Sequence, residues 1–213
     1  MSSTLPSLRM MSIRDSAVDA LRSALLEGKF QPGESLSEPA LASQMGISRG
    51  PVREALLVLE QEGLVVHNQN RGFSVLTLGP EDRRAMTKVR VPLEALALEL
   101  ARAKATAEDL AEMEADLERM VATYGPDTRN SAREDLAFHG KLWELSGNPW
   151  LIVALKRVVV PFFLFTIMYS AKTDMLDAAT LEKQHRAYLD FLRGSTEMTA
   201  EECVRLHLSM YEL

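Results

Sequence analysis

Three histidines and one aspartate are the residues in this sequence best placed to act together. Asp135 and His139 are four apart, so a helix sets both on one face. His185 lies among Leu181, Tyr188, Leu189 and Leu192, and His207 among Val204, Leu208 and Tyr211. Each imidazole therefore belongs to the apolar stripe of its own segment and is expected to point inward. Three imidazole nitrogens and a carboxylate oxygen can hold a divalent cation such as Zn, Ni or Mn. Burying three imidazoles without a ligand leaves several ring nitrogens to satisfy. The alternative is three core histidines, each hydrogen-bonded within the protein, and the pattern alone leaves the two readings level.

A second set is cationic. In residues 48–62, SRGPVREALLVLEQE, Val52, Ala55, Leu56 and Leu59 recur at helical spacing and define one buried stripe. Arg49 and Arg53 share the opposite face near the start of that helix. Ser48 fits the N-cap and Pro51 the first turn. A guanidinium fork presented there can take guanine O6 and N7 in a DNA major groove. The alternative is a surface helix with two solvated arginines.

The elements around this helix favour DNA. Residues 36–47, LSEPALASQMGI, read as a short helix built on Leu41, Ala42 and Met45 and stopped by Gly46. A short helix, a tight turn and a longer helix with N-terminal arginines form a helix-turn-helix pattern. Gly63 ends the longer helix. Residues 64–66 then read as a strand, 68–72 as a turn and 73–76 as a strand. This hairpin is a wing with Arg71 near its tip, where a minor groove would receive it. Upstream, 13–28 is a helix with Val18, Leu21, Leu25 and Leu26 inward, 30–36 is a turn, and 1–12 is a flexible arm.

From Gly79-Pro80 onward the pattern shows only helices. They span about 81–103, 107–123, 128–145, 150–171, 177–193 and 199–212, the first with Val89, Leu93, Leu96 and Leu100 along one side. Pro92 and Pro161 fall inside two of them, where each kinks the helix or removes a backbone hydrogen bond. The expected fold class is mainly α: a winged helix-turn-helix with a small β-hairpin over 13–78 and an all-α six-helix bundle over 79–213.

Composition sets limits. The 213 residues are 46% apolar and 25% charged, enough for two modest domains. Cys203 is the single cysteine, which allows no internal disulfide and fits a reducing cytoplasm. The first twelve residues show no signal peptide, and the longest apolar run, 158–169, is too short to span a bilayer. Net charge is −6, and neither part of the chain is basic. DNA reading must therefore rest on where Arg49, Arg53 and Arg71 lie rather than on bulk charge.

Residues 21–75 resemble the winged-helix domain of the GntR transcription regulators. The landmarks are Pro32-Gly33, Leu36-Ser37-Glu38, Leu41-Ala42, Ser48 with the following PVREAL, Glu62-Gly63-Leu64 and Arg71-Gly72-Phe73. The resemblance implies DNA contacts from Ser48, Arg49, Gly50, Arg53, Arg71 and Gly72. Two positions depart from the family: Pro39 stands where some members carry a DNA-touching arginine, and Gly50 where threonine is usual.

Residues 81–213 resemble the FCD ligand-binding domain of the FadR branch of that family. Val89-Arg90, Leu93-Glu94, Phe138-His139, Ser146-Gly147-Asn148-Pro149 and His185-Arg186 carry the likeness. The series Asp135, His139, His185, His207 fits that domain's metal site, and six helices suggest the VanR-like subgroup. The resemblance also implies that Arg90 pairs with a carboxylate of the effector; a helix-pairing or surface charge is its alternative reading. It implies a cytoplasmic homodimeric repressor on a palindromic operator, released by a small carboxylate at a divalent metal, Zn before Ni or Mn. The rivals are a regulator whose effector is the metal itself and a hydrolase using metal-activated water. Against the hydrolase, no general base is evident beside the cluster, and a DNA-reading domain would have no work.

Overall fold

The computed structural model describes residues 12–124, 128–169 and 177–209. The arm expected over 1–12, apart from Ser12, lies outside them, as do the ends expected for the fourth and sixth bundle helices.

The first helix, α1 (Ile13–Leu26), starts where the Ser12 hydroxyl accepts the Asp15 N–H at 3.1 Å. It buries Ala17, Val18, Leu21 and Leu25. Helix α2 (Glu38–Met45) stops at Gly46, whose φ of +65° is left-handed and lets the chain turn into α3 (Arg49–Gln61). The α3 stripe is as expected: Val52, Ala55, Leu56 and Leu59 are fully buried. Each large aliphatic side chain among them contributes about 1.5–3 kcal/mol. Ser48 sits in the N-cap position, but its hydroxyl makes no cap hydrogen bond.

Strands β1 (Ser35–Leu36), β2 (Val65–Asn68) and β3 (Gly72–Val75) form an antiparallel sheet in the order β1-β3-β2. Phe73 faces His67 on one side and Leu36 on the other. Strand β2 takes in Asn68, which the pattern assigned to the turn, and β1 lies where a turn was expected. A two-residue strand has no alternation of its own; pairing with β3 creates it.

The second part has six helices among the described residues: α4 (Pro80–Arg102), α5 (Ala107–Thr123), α6 (Thr128–Leu145), α7 (Pro149–Tyr169), α8 (Ala178–Arg193) and α9 (Ala200–Leu208). Thr106 and Thr199 open α5 and α9 with reciprocal capping boxes to Asp109 and Glu202. Helices α4 and α7 run on through Pro92 and Pro161. Helix α4 is central, packed against α6, α7, α8 and α9. Its buried residues include Thr87, Arg90, Val91, Glu94, Leu98 and Ala101. Of the side marked by apolar periodicity, Leu93 and Leu100 pack beside α7, whereas Val89 and Leu96 are exposed. With neighbours on several sides, α4 centres its buried arc elsewhere.

The two parts meet along α7. Leu164 belongs to the winged-helix core, and Val160 packs against it. Gly63, at the end of α3, has φ +76°, and a Cβ there would lie 3.1 Å from Pro161 Cγ. Only glycine suits both the backbone and that approach.

Candidate metal centre and nucleic-acid face

The bundle brings all four expected ligands together. Asp135 and His139 come from α6, His185 from α8 and His207 from α9, and all four are buried. One ligand atom from each lies within 4.8 Å of all the others. Asp135 Oδ1 is 2.9 Å from His185 Nε2 and 3.2 Å from His139 Nε2, and His139 Nε2 is 3.1 Å from His207 Nε2. Bonds of about 2.0–2.1 Å around one cation put neighbouring ligand atoms roughly 3.0–3.4 Å apart, so these edges suit a small divalent ion.

The outer contacts fit as well. His185 Nδ1 donates to the Leu181 carbonyl at 2.9 Å, which leaves Nε2 for the centre. His139 Nδ1 lies 3.1 Å from Glu94 Oε2, though poorly aligned for a hydrogen bond. Phe138 and Tyr188 turn ring edges or tilted faces to the imidazoles and keep the cluster dry.

Arg90 lies on the same side. It is fully buried, its Nε donates to Glu94 Oε1 at 2.8 Å, and its guanidinium sits 4.7 Å from the Phe162 ring centroid and 5.6 Å from that of Phe163. Both terminal nitrogens of Arg90 are buried and meet no acceptor among the described residues. The surface-charge reading of Arg90 is thereby excluded; pairing along its own helix uses one nitrogen of three.

Burial would raise the Glu94 carboxyl, but Arg90 and His139 overcome it and hold the group at about 2. Burial likewise opposes ionisation of Asp135, which the imidazoles nonetheless hold well below the usual range. Burial would lower His139, yet Asp135 and Glu94 raise it to about 9. His207 is pushed well below its ordinary value, by burial first and then by the charge on His139. The two carboxylates thus favour a proton on His139, which lies between them.

A cavity of about 640 Å³ lies between α4 and α9, lined by Arg84, Thr87, Lys88, Val91, Pro92, Glu201 and Arg205. None of these is a candidate ligand. Thr87 borders the cavity one helical turn from Arg90, and its hydroxyl is buried without a hydrogen-bond partner among the described residues.

The periodicity did not single out Glu94, Thr87 or Tyr188 for the site. Beside the family likeness at Leu93-Glu94, the available signal was the spacing of Arg90 and Glu94, which suits an i, i+4 ion pair.

In the winged helix, Ser48, Arg49, Gly50 and Arg53 are exposed at the start of α3, and Arg71 and Gly72 at the wing. Arg53 has Glu38 of α2 at 3.7 Å. Asn70, at φ 75°, shapes the wing turn beside Arg71. No described helix is long and apolar enough to cross a membrane.

Residues 13–75 match the bacterial regulatory proteins of the gntR family, and residues 85–210 match the FCD domain. An uncharacterized HTH-type transcriptional regulator, YdhC of Bacillus subtilis, is 31% identical over 192 residues, covering 89% of this chain and 84% of that one. A probable D-xylose utilization operon transcriptional repressor of Paenarthrobacter nicotinovorans is 26% identical over 212 residues, covering 99% and 92%. The solved structure of E. coli McbR/YncC has the same fold, with a TM-score of 0.74 at 22% identity over 95% of this chain and 98% of that one. A putative GntR regulator from Rhodococcus sp. RHA1 gives 0.73 at 23% identity, over 93% of each.

Proposed function

Because the chain belongs to the GntR family of bacterial regulatory proteins and carries an FCD domain, we propose that it is a DNA-binding repressor released by a small carboxylate effector held at a metal centre. Its family is one of transcriptional regulators, not of enzymes. Six bundle helices support placement in the FadR branch, VanR-like subgroup.

The observation that carries the effector reading is Arg90, a fully buried cation with two unmatched terminal nitrogens beside the four-ligand cluster. A buried donor without an acceptor costs about 1–3 kcal/mol, more on a charged group. A carboxylate oxygen would satisfy it. Asp135, His139, His185 and His207 would hold the divalent ion, Zn before Ni or Mn, and the ion supplies positive charge to fix the effector's acid group. The charge balance agrees. Asp135 and Glu94 offset Arg90 and the proton on His139. Exchanging that proton for a divalent ion leaves one net positive charge, which a single carboxylate neutralises. The cavity beside Thr87 supports access for a small polar molecule.

Arg49 and Arg53 read base edges and Arg71 enters the minor groove, with Ser48, Gly50 and Gly72 close to the DNA backbone. A homodimer matches a palindromic operator. Val89 and Leu96 on α4, with Trp150 and Val153 on the adjoining α7, are the exposed apolar side chains that support it; Trp150 is 84% exposed. Helix shifts in the bundle would reach the two DNA-reading helices through the boundary at 77–82. The structure supports a second route: Phe162 and Phe163 flank Arg90, while Pro161 and Leu164 touch the winged helix. The reading also places the protein in the cytoplasm, where the DNA is.

The test uses the full chain loaded with zinc and an operator selected from random duplexes. A thermal-shift screen of organic acids is followed by DNA titration. An acid that raises the melting temperature and weakens operator binding is expected, with the response lost in Arg90→Met. If metal alone changes operator affinity and no acid adds to it, the metal is the effector. Zinc and acids both without effect on stability and DNA binding would overturn the effector reading.

A further inference from the structure

We propose that Glu94 is a positioning residue that ties the metal ligand His139 to the anion-binding Arg90, so that filling the metal site also fixes the direction in which Arg90 offers its free N–H groups. This rests on the metal and effector reading above.

Glu94 is fully buried and turns one carboxylate oxygen to each of two neighbours, hydrogen-bonded to Arg90 and in ion-pair contact with His139 without the alignment of a hydrogen bond. Oε1 accepts from Arg90 Nε at 2.8 Å, and Oε2 lies 3.1 Å from His139 Nδ1. An arginine pairing side-on with a carboxylate engages both oxygens. Here Arg90 receives only one, and its two terminal nitrogens stay unmatched.

Both neighbours of Glu94 must donate. An arginine has donors only. His139 Nε2 faces Asp135 Oδ1 at 3.2 Å and His207 Nε2 at 3.1 Å, so it is the nitrogen turned to the centre. For that nitrogen to offer a lone pair, the ring's proton must sit on Nδ1, toward Glu94. Position 94 therefore has to supply two acceptors. An ionised carboxylate does so; an amide supplies one acceptor and one donor.

Glutamine at 94 is consequently caught between its neighbours. With its oxygen toward Arg90, its NH₂ meets His139 Nδ1 and favours the tautomer protonated on Nε2, which cannot ligate. With its oxygen toward His139, its NH₂ meets the Arg90 Nε–H. Phe162, Phe163 and Tyr188 close the surroundings, so the mismatch stays inside a low-dielectric site.

The test titrates chelator-stripped full-length protein with Co²⁺ and follows visible absorption, with thermal melting as the fold control. Glu94→Gln is expected to weaken cobalt binding roughly 10- to 100-fold and to change the ligand-field spectrum, although none of the four ligands is altered. Arg90→Met/Glu94→Gln removes one donor and frees the amide oxygen for His139, so affinity returns toward wild type. A merely structural role gives no such rescue. Glu94→Gln with wild-type affinity and spectrum, or a double variant no better than the single, overturns the proposal. Should Glu94→Gln not fold, Arg90→Met/Glu94→Gln is compared with Arg90→Met/Glu94→Met. The chain with an acceptor at 94 must bind cobalt more tightly; equal affinities overturn the proposal. A wild-type chain that takes up no cobalt overturns the metal reading itself, a separate result.

Discussion

Arg49, Arg53 and Arg71 stand exposed on the winged helix, while Arg90 in the bundle is wholly buried against Glu94 and two phenylalanine rings. Under the proposed function the exposed set keeps its hydration until DNA displaces it, so its charges bear little on folding. Arg90 has given up its hydration, and its neighbours must make good the loss in the folded chain. On that reading the same residue type serves recognition in one domain and is bound into the folding energetics of the other.

The sharpest way to break that contrast is to delete one arginine from each side. Arg90→Ala leaves Glu94 as a buried carboxylate without its cation and should cost about 3–5 kcal/mol of stability. Arg49→Ala should stay within about 0.5 kcal/mol. Urea unfolding of both variants measures this, and similar losses would erase the distinction.

The next effect concerns protons. In the cation-free chain His139 is raised to about 9 from an ordinary 6.5. Its stabilising contribution is complete below about 6.5 and is lost as pH rises through about 9. A cation must displace that proton, so apparent zinc affinity should climb between those limits by up to about tenfold per pH unit. Competition with a zinc indicator across that range checks it; a flat profile would mean that His139 is already neutral or does not ligate. The range lies higher than an unperturbed histidine would give.

On the DNA side, Arg49→Ala and Arg53→Ala should each lose about 1–3 kcal/mol on the selected operator and relax base preference. The Arg53 comparison needs fixed salt, because freeing Glu38 also removes an ion-pair partner. Gel-shift titration decides it, and two variants with wild-type affinity and specificity would remove α3 from the groove. Arg71→Ala should show the smallest loss, concentrated on duplexes with a narrow A·T minor groove. Anisotropy on matched A·T-rich and G·C-rich flanks separates that from a uniform weakening.

Sequence pattern resolved what is local. The α3 stripe, the stop at Gly46 and the shared face of Asp135 and His139 each depend on residues within a turn or two. The joining of His185 and His207 to that pair followed from their places on apolar stripes. The rest needed partners distant in the chain. Strand β1 exists because β3 lies beside it. Glu94 is a site residue because His139, 45 positions away, packs over it. Val89 and Leu96 look like core from periodicity alone, but periodicity cannot say which side of α4 its neighbours leave open.

Residues 160–164 of α7 face two ways, toward Arg90 through Phe162 and Phe163 and toward the winged helix through Pro161 and Leu164. Linkage between two sites has no preferred direction: whatever factor an acid imposes on operator affinity, the operator imposes on the acid. Under the proposed function, protein seated on its promoter is therefore a poorer receptor than the same protein free in solution. The effector concentration that empties a promoter must exceed the one that half-saturates unbound protein, and the gap widens with the strength of the operator.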